Sequence, residues 1–225
     1  MGEAIGQLLP FAVGVAVSPM PIVAVVLMLV TPRARTNGPA FLLGWIVGIA
    51  LAGAVLLAIA GPSSASEQGE PAAWVNWLKL VLGLLLVLVP VRQWRARPHE
   101  GEEVPTPRWM GALDNFTPPK AAGAAVLLGT INPKNLLFIV AGAAAVAQTG
   151  IPAGQQAGAW AVFTVLASLG VAAPVVIYFA MGKRAAGLLD GLKTWMASHN
   201  TAIMAVLCLI VGVKLVGDAI TGFSG

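Results

Sequence analysis

Six apolar runs, each long enough to cross a bilayer, leave few folds open to this chain. A membrane-spanning helix needs about 17–25 predominantly apolar residues. The runs are roughly 5–30, 40–60, 73–91, 121–147, 157–181 and 202–220. Of 225 residues, 58% are hydrophobic and 10% charged, against about 25% charged in a soluble domain. There is too little polar surface to cover a core of that size, so lipid must act as the solvent. The expectation is an all-α integral membrane protein.

The gaps between the runs set an orientation. Arg33 and Arg35 lie in the first gap; Arg92, Arg95, Arg97, Arg108 and Lys120 in the third; Lys183, Arg184 and Lys193 in the fifth. The second and fourth gaps carry no lysine or arginine. Basic residues in short loops mark the cytoplasmic side. This predicts a multi-pass plasma (inner) membrane protein with both termini outside. The net charge of +4 is accounted for by these loops, so nucleic acid is not an expected partner. The acidic start at Glu3 and the length of the first run argue against a signal peptide. Segments 109–116 and 188–196 have amphipathic spacing and read as short helices lying along the membrane surface.

The long third gap divides the chain into a first three-helix repeat (1–91), a cytoplasmic linker with an interfacial helix (92–120) and a second three-helix repeat (121–225). An odd number of spans per half gives the halves opposite orientation, a common plan among transporters. The sequence carries traces of such a repeat. Ser18-Pro19-Met20-Pro21 falls near the middle of the first run and Asn132-Pro133-Lys134 near the middle of the fourth. Gly83 and Gly212 mark the middles of the third and sixth. The predicted fold is thus six transmembrane helices as two inverted three-helix repeats, with the first and fourth helices broken at proline.

Proline lacks an N–H and clashes with the carbonyl four residues back. Pro19 should free the Val15 carbonyl, Pro21 that of Val17 and Pro133 that of Gly129. Free carbonyls at membrane depth are tolerated only inside protein or beside a wet cavity. Each following half-helix presents N–H groups and a partial positive charge suited to anions. Lys134 adds an intramembrane charge, by default a candidate functional site, flanked by Asn132 and Asn135. A single proline kink can be purely structural; two matched kinks, one with a lysine and two asparagines, favour a substrate site. Its residues would be Ser18, Pro19, Pro21, Asn132, Pro133, Lys134 and Asn135. Lys214 and Asp218, four apart on one helix face, are secondary candidates and are expected to pair. Lys79 is expected near a span end.

With these motifs, SPMPIVAVVLMLVTPRAR and ALDNFTPPK…TINPKNLLF, the chain resembles the GAP family (glycopeptidolipid- and sulfolipid-addressing proteins) of the lysine exporter (LysE) superfamily. The resemblance covers most of the chain. It implies a transporter-like fold of two related halves and a role in moving envelope lipids or glycolipids. It marks the residues of the two breaks as characteristic positions, and adds Asp114 as a secondary candidate.

Three functions are compatible with this reading: an exporter or flippase for an anionic lipid or glycolipid; a LysE-type exporter of amino acids or other small solutes; and a non-transporting accessory subunit of a lipid-export complex. Expected partners are membrane lipids, an anionic lipid or small-molecule substrate, and a second copy of the chain in a homodimer. No nucleophile–base pair, paired carboxylates or metal-ligand spacing is present, and Cys208 stands alone. Neither an enzyme nor a bound cofactor or metal is expected.

Overall fold

The computed structural model describes residues 1–60, 73–95 and 116–224. Every regular element among the described residues is helical. Eight α-helices follow in order: α1 (Gly2–Ala16), α2 (Pro19–Leu29), α3 (Ala34–Ala60), α4 (Ala73–Arg95), α5 (Pro118–Val126), α6 (Pro133–Gln148), α7 (Ala153–Met181) and α8 (Ala185–Ser224). A π-helical turn, Leu127–Ile131, joins α5 to the residue before α6. A 3-10 turn, Gly182–Arg184, joins α7 to α8.

Helices α3, α7 and α8 are each long and apolar enough to cross a membrane. The pairs α1–α2, bent by 49°, and α5–α6, bent by 64° together with the π turn, bring the number to five if each pair is one span. Helix α4 is shorter in its apolar part, 76–88. The outer surfaces match a lipid environment. On α3, Leu43, Val47, Leu51, Val55 and Ile59 form an exposed apolar stripe, while Phe41, Trp45 and Ile49 on the other side are buried. A helix apolar all round belongs in lipid or in a large core.

Both breaks fall where the sequence places them. Pro19 and Pro133 are each the first residue of a new helix, where the missing N–H costs nothing and the fixed φ suits the helix. The preceding residues have nearly the same backbone, φ −63 and ψ 114 at Ser18, φ −58 and ψ 119 at Asn132. A residue before proline is pushed out of the helical region. Proline alone is not sufficient for a break: α1, α3 and α7 continue through Pro10, Pro39 and Pro174.

Packing between the halves is reciprocal. Helix α1 lies on α7 and α5 on α3; α2 touches α7 and α8, while α6 touches α3 and α4. Helices α3 and α7 pack together, as do α4 and α8. Trp45 of α3 donates its indole N–H to the Ala167 carbonyl of α7, 3.3 Å, and Trp160 of α7 donates to the Ile49 carbonyl of α3, 3.2 Å. Gly83 and Gly212 meet at the α4–α8 crossing: a β-carbon on either would lie 2.9 Å from the other's carbonyl oxygen. Gly44 likewise lets α3 press on the Ala122 backbone of α5, and Gly170 lets α7 press on Ala16 of α1. Close backbone approach through small residues is how helices associate in lipid.

One of the two expected surface helices is corrected. Segment 188–196 is no separate surface helix, because α8 runs unbroken for 40 residues, about 60 Å at 1.5 Å per residue. Its Leu189 and Met196 are buried, and Leu188 and Trp195 exposed. The segment 109–116 lies outside the described residues except for Phe116, which packs against the core. Asp114 also lies outside them.

Candidate functional site

The second break is built mainly from its own side chains. Asn132 accepts the Lys134 N–H through Oδ1 at 3.2 Å, an N-terminal cap on α6. Asn135, fully buried, donates from Nδ2 to the Leu128 carbonyl at 3.0 Å. Thr130 donates its hydroxyl to the Val126 carbonyl at 2.7 Å. The wider π turn disturbs regular backbone pairing, and the two side chains supply donors to carbonyls in its neighbourhood. The Oδ1 of Asn135 is buried without a partner, although an amide oxygen can accept two bonds.

Lys134 follows on the first turn of α6 and is partly buried. Among the described residues its ammonium has no ion pair or side-chain hydrogen bond. Its electrostatic neighbour is Cys208, fully buried on α8. Lysine in a span is normally paired or snorkels to the surface. An ammonium with three donors and no acceptor among the described residues is suited to an anion supplied from outside.

The first break is plainer. Ser18 is buried and makes no side-chain cap. The Val15 carbonyl, expected to be free, accepts the Ser18 N–H at 3.2 Å. Pro19 and Pro21 remove two of the first three N–H groups of α2, leaving Met20 as the only donor there. At the second break the Lys134 N–H is already capped. The half-helix starts therefore offer an anion fewer backbone donors than expected, and the side chain of Lys134 carries most of the positive character.

The packing brings the breaks into one region without joining them. Helix α2 touches the π turn, and a β-carbon on Gly14 of α1 would lie 2.7 Å from the Phe138 ring of α6. No hydrogen bond links Ser18 to Asn132, Lys134 or Asn135 among the described residues.

Lys214 and Asp218 form the expected ion pair, and the Lys214 ammonium lies 5.7 Å from the centre of the Phe11 ring. With Lys79, Gln7, Asn76 and Gln148 they line a polar cavity of about 360 Å³ at the end of the molecule away from Arg33 and Arg35. The Nε2 of Gln148 is buried without a partner. Lys134 does not line this cavity.

A larger cavity, about 640 Å³, opens at the opposite end. Val30, Thr31, Arg35, Tyr178, Phe179 and Leu189 are among its lining residues. Sequence reasoning used Arg35 only for orientation; the signal available was the return of α7 to the same membrane face with the chain's only tyrosine, Tyr178. Two buried asparagines also escaped notice. Asn37 donates to the Phe116 carbonyl at 2.9 Å and Asn76 to that of Gly222 at 2.7 Å, each tying distant segments together.

Long apolar helices, two of them broken at proline, and an unpaired cation at one break define a polytopic α-helical membrane protein. Over residues 8–221 the chain matches the family described as Sap, sulfolipid-1-addressing protein. It belongs to that family. No curated protein and no solved structure matches it.

Proposed function

We propose that the chain is an exporter or flippase for an anionic cell-envelope lipid or glycolipid, with Lys134 holding the head group near the middle of the membrane. The observation that carries this reading is the Lys134 ammonium, placed at a helix break with no anionic partner among the described residues. Membership of a sulfolipid-addressing family supports an anionic amphiphile as cargo. The transport plan is that of the LysE superfamily, and the reading requires no bond to be made or broken.

We read the architecture as six spans in two inverted three-helix repeats, 1–91 and 121–225. The reciprocal packing of α1 on α7 and α5 on α3, the paired indole bonds and the near-identical backbone at Ser18 and Asn132 support it. On this reading both termini face outward, and the large cavity faces the cytoplasm.

The test is lipid translocation in proteoliposomes. Lys134→Ala should lower the rate at least tenfold, as expected from losing a charge-assisted contact of about 1.5–3 kcal/mol; Lys134→Arg should keep part of it. A wild-type rate in Lys134→Ala would remove Lys134 from the mechanism. Stimulated release of a radiolabelled amino acid, with no lipid movement, would replace the lipid reading with small-solute export.

A further inference from the structure

We infer that the 640 Å³ cavity between α2, α3, α7 and α8 binds an anionic lipid by its phosphate or sulfate head, with Arg35 as the anchoring cation. The site is distinct from Lys134 and does not depend on the chain being a transporter.

The polar rim has the chemistry for such a head. Arg35 is exposed and makes no ion pair or side-chain hydrogen bond among the described residues. A guanidinium fork matches two oxygens of a phosphate or sulfate at once. The half-buried Tyr178, which lines the cavity, has no hydrogen bond from its hydroxyl among the described residues, which leaves a second donor on a lining residue. Thr31 differs, because its hydroxyl already donates to the Met28 carbonyl at 2.8 Å. It is left as an acceptor, suited to a hydroxyl on the ligand's head.

The remaining wall is apolar. Val30 and Phe179 are 57% and 53% exposed, and Leu189 is buried behind them. The volume lies within the range of about 300–1,000 Å³ usual for small-molecule sites. A bare inorganic anion would use the rim and leave the apolar wall unsatisfied. An amphiphile uses both, its head on Arg35 and the start of an acyl chain along Val30 and Phe179.

Gly182 keeps the corner between α7 and α8 open. Its φ of +56 is one that residues with a side chain rarely adopt. A β-carbon there would touch nothing within 4 Å, so backbone conformation, not space, calls for glycine. The cavity also lies at the end carrying Arg33 and Arg184, and clustered basic residues beside a membrane face attract anionic lipids.

The experiment is native mass spectrometry of the full chain in detergent, titrated with phosphatidylglycerol or phosphatidylcholine. The wild type should retain phosphatidylglycerol in preference to phosphatidylcholine. Arg35→Gln should weaken that retention about fivefold, the effect of one interfacial basic residue worth about 1 kcal/mol. Arg33→Gln, in the same loop but away from the cavity lining, should weaken it less than Arg35→Gln. Ala186→Trp, which fills the cavity, should reproduce the loss. Equal losses in Arg33→Gln and Arg35→Gln would reduce the effect to loop charge and overturn the site. Full displacement of the lipid by inorganic phosphate or sulfate would assign the cavity to a small anion instead. Equal retention of the two lipids would also overturn it.

Discussion

Lys134 and Asn135 are neighbours in sequence with different work. Lys134 carries an ammonium without an ion pair among the described residues, whereas Asn135 spends its amide on the protein itself. Removing the Asn135 side chain leaves the Leu128 carbonyl, in a partly buried position, without that donor. An unsatisfied buried group costs about 1–3 kcal/mol. Asn135→Ala should therefore lower thermal stability in detergent by about that amount. Ser18→Ala, which removes no capping bond, should cost less than Asn135→Ala. A larger loss at Ser18 than at Asn135 would reverse their ranking. The sequence showed both residues as polar groups beside a proline. It did not show that Asn132 and Asn135 are already engaged with backbone, because that depends on the π turn, and a turn with i→i+5 bonding leaves no composition signal in a run as apolar as LLGTI.

At the level of helices, close approach decides what the molecule tolerates. The Gly83–Gly212 crossing has backbone against backbone, so neither partner can rotate out of the way. Gly83→Leu should cost on the order of 1–3 kcal/mol or more through overpacking, seen as a lower midpoint of thermal unfolding. Gly123→Ala, where a β-carbon meets nothing within 4 Å, should be neutral or slightly stabilising, since alanine is the better helix former. Equal sensitivity at the two positions would show that α4 and α8 do not cross as closely as described. The helix breaks themselves were legible, because proline preceded by a non-helical residue is a local signal. The end of the bilayer and the end of a helix were not separable in the same way. Residues 182–200 read as a gap because they are polar, yet α8 passes through most of them. A helix leaving lipid no longer needs apolar side chains, so hydropathy marks the membrane boundary and says little about where helical pairing stops.

For the molecule as a whole, the alternation of basic loops with loops free of lysine and arginine carries a prediction of sidedness. Cys208 is fully buried, so the native cysteine should stay silent toward an impermeant thiol reagent. In intact cells Gln155→Cys, exposed near the start of α7, should label from outside. Thr36→Cys, exposed near the start of α3, should label only after permeabilisation. The opposite pattern would invert the orientation. The number of apolar runs was readable from composition alone. The two end cavities were not, since each is assembled from helix ends far apart in the chain, such as Arg35 with Tyr178 or Lys79 with Asp218.

Among the described residues, helix α8 touches three places that carry charge. Near its start Ala186 and Leu189 line the Arg35 cavity, at its middle Cys208 neighbours Lys134, and near its end Lys214 and Asp218 line the polar cavity. It meets the α4 backbone closely at Gly212. A stiff rod held near a fulcrum behaves as a seesaw: widening one end narrows the other. A rocking α8 would couple the two end cavities with no need for a relay of side chains between them.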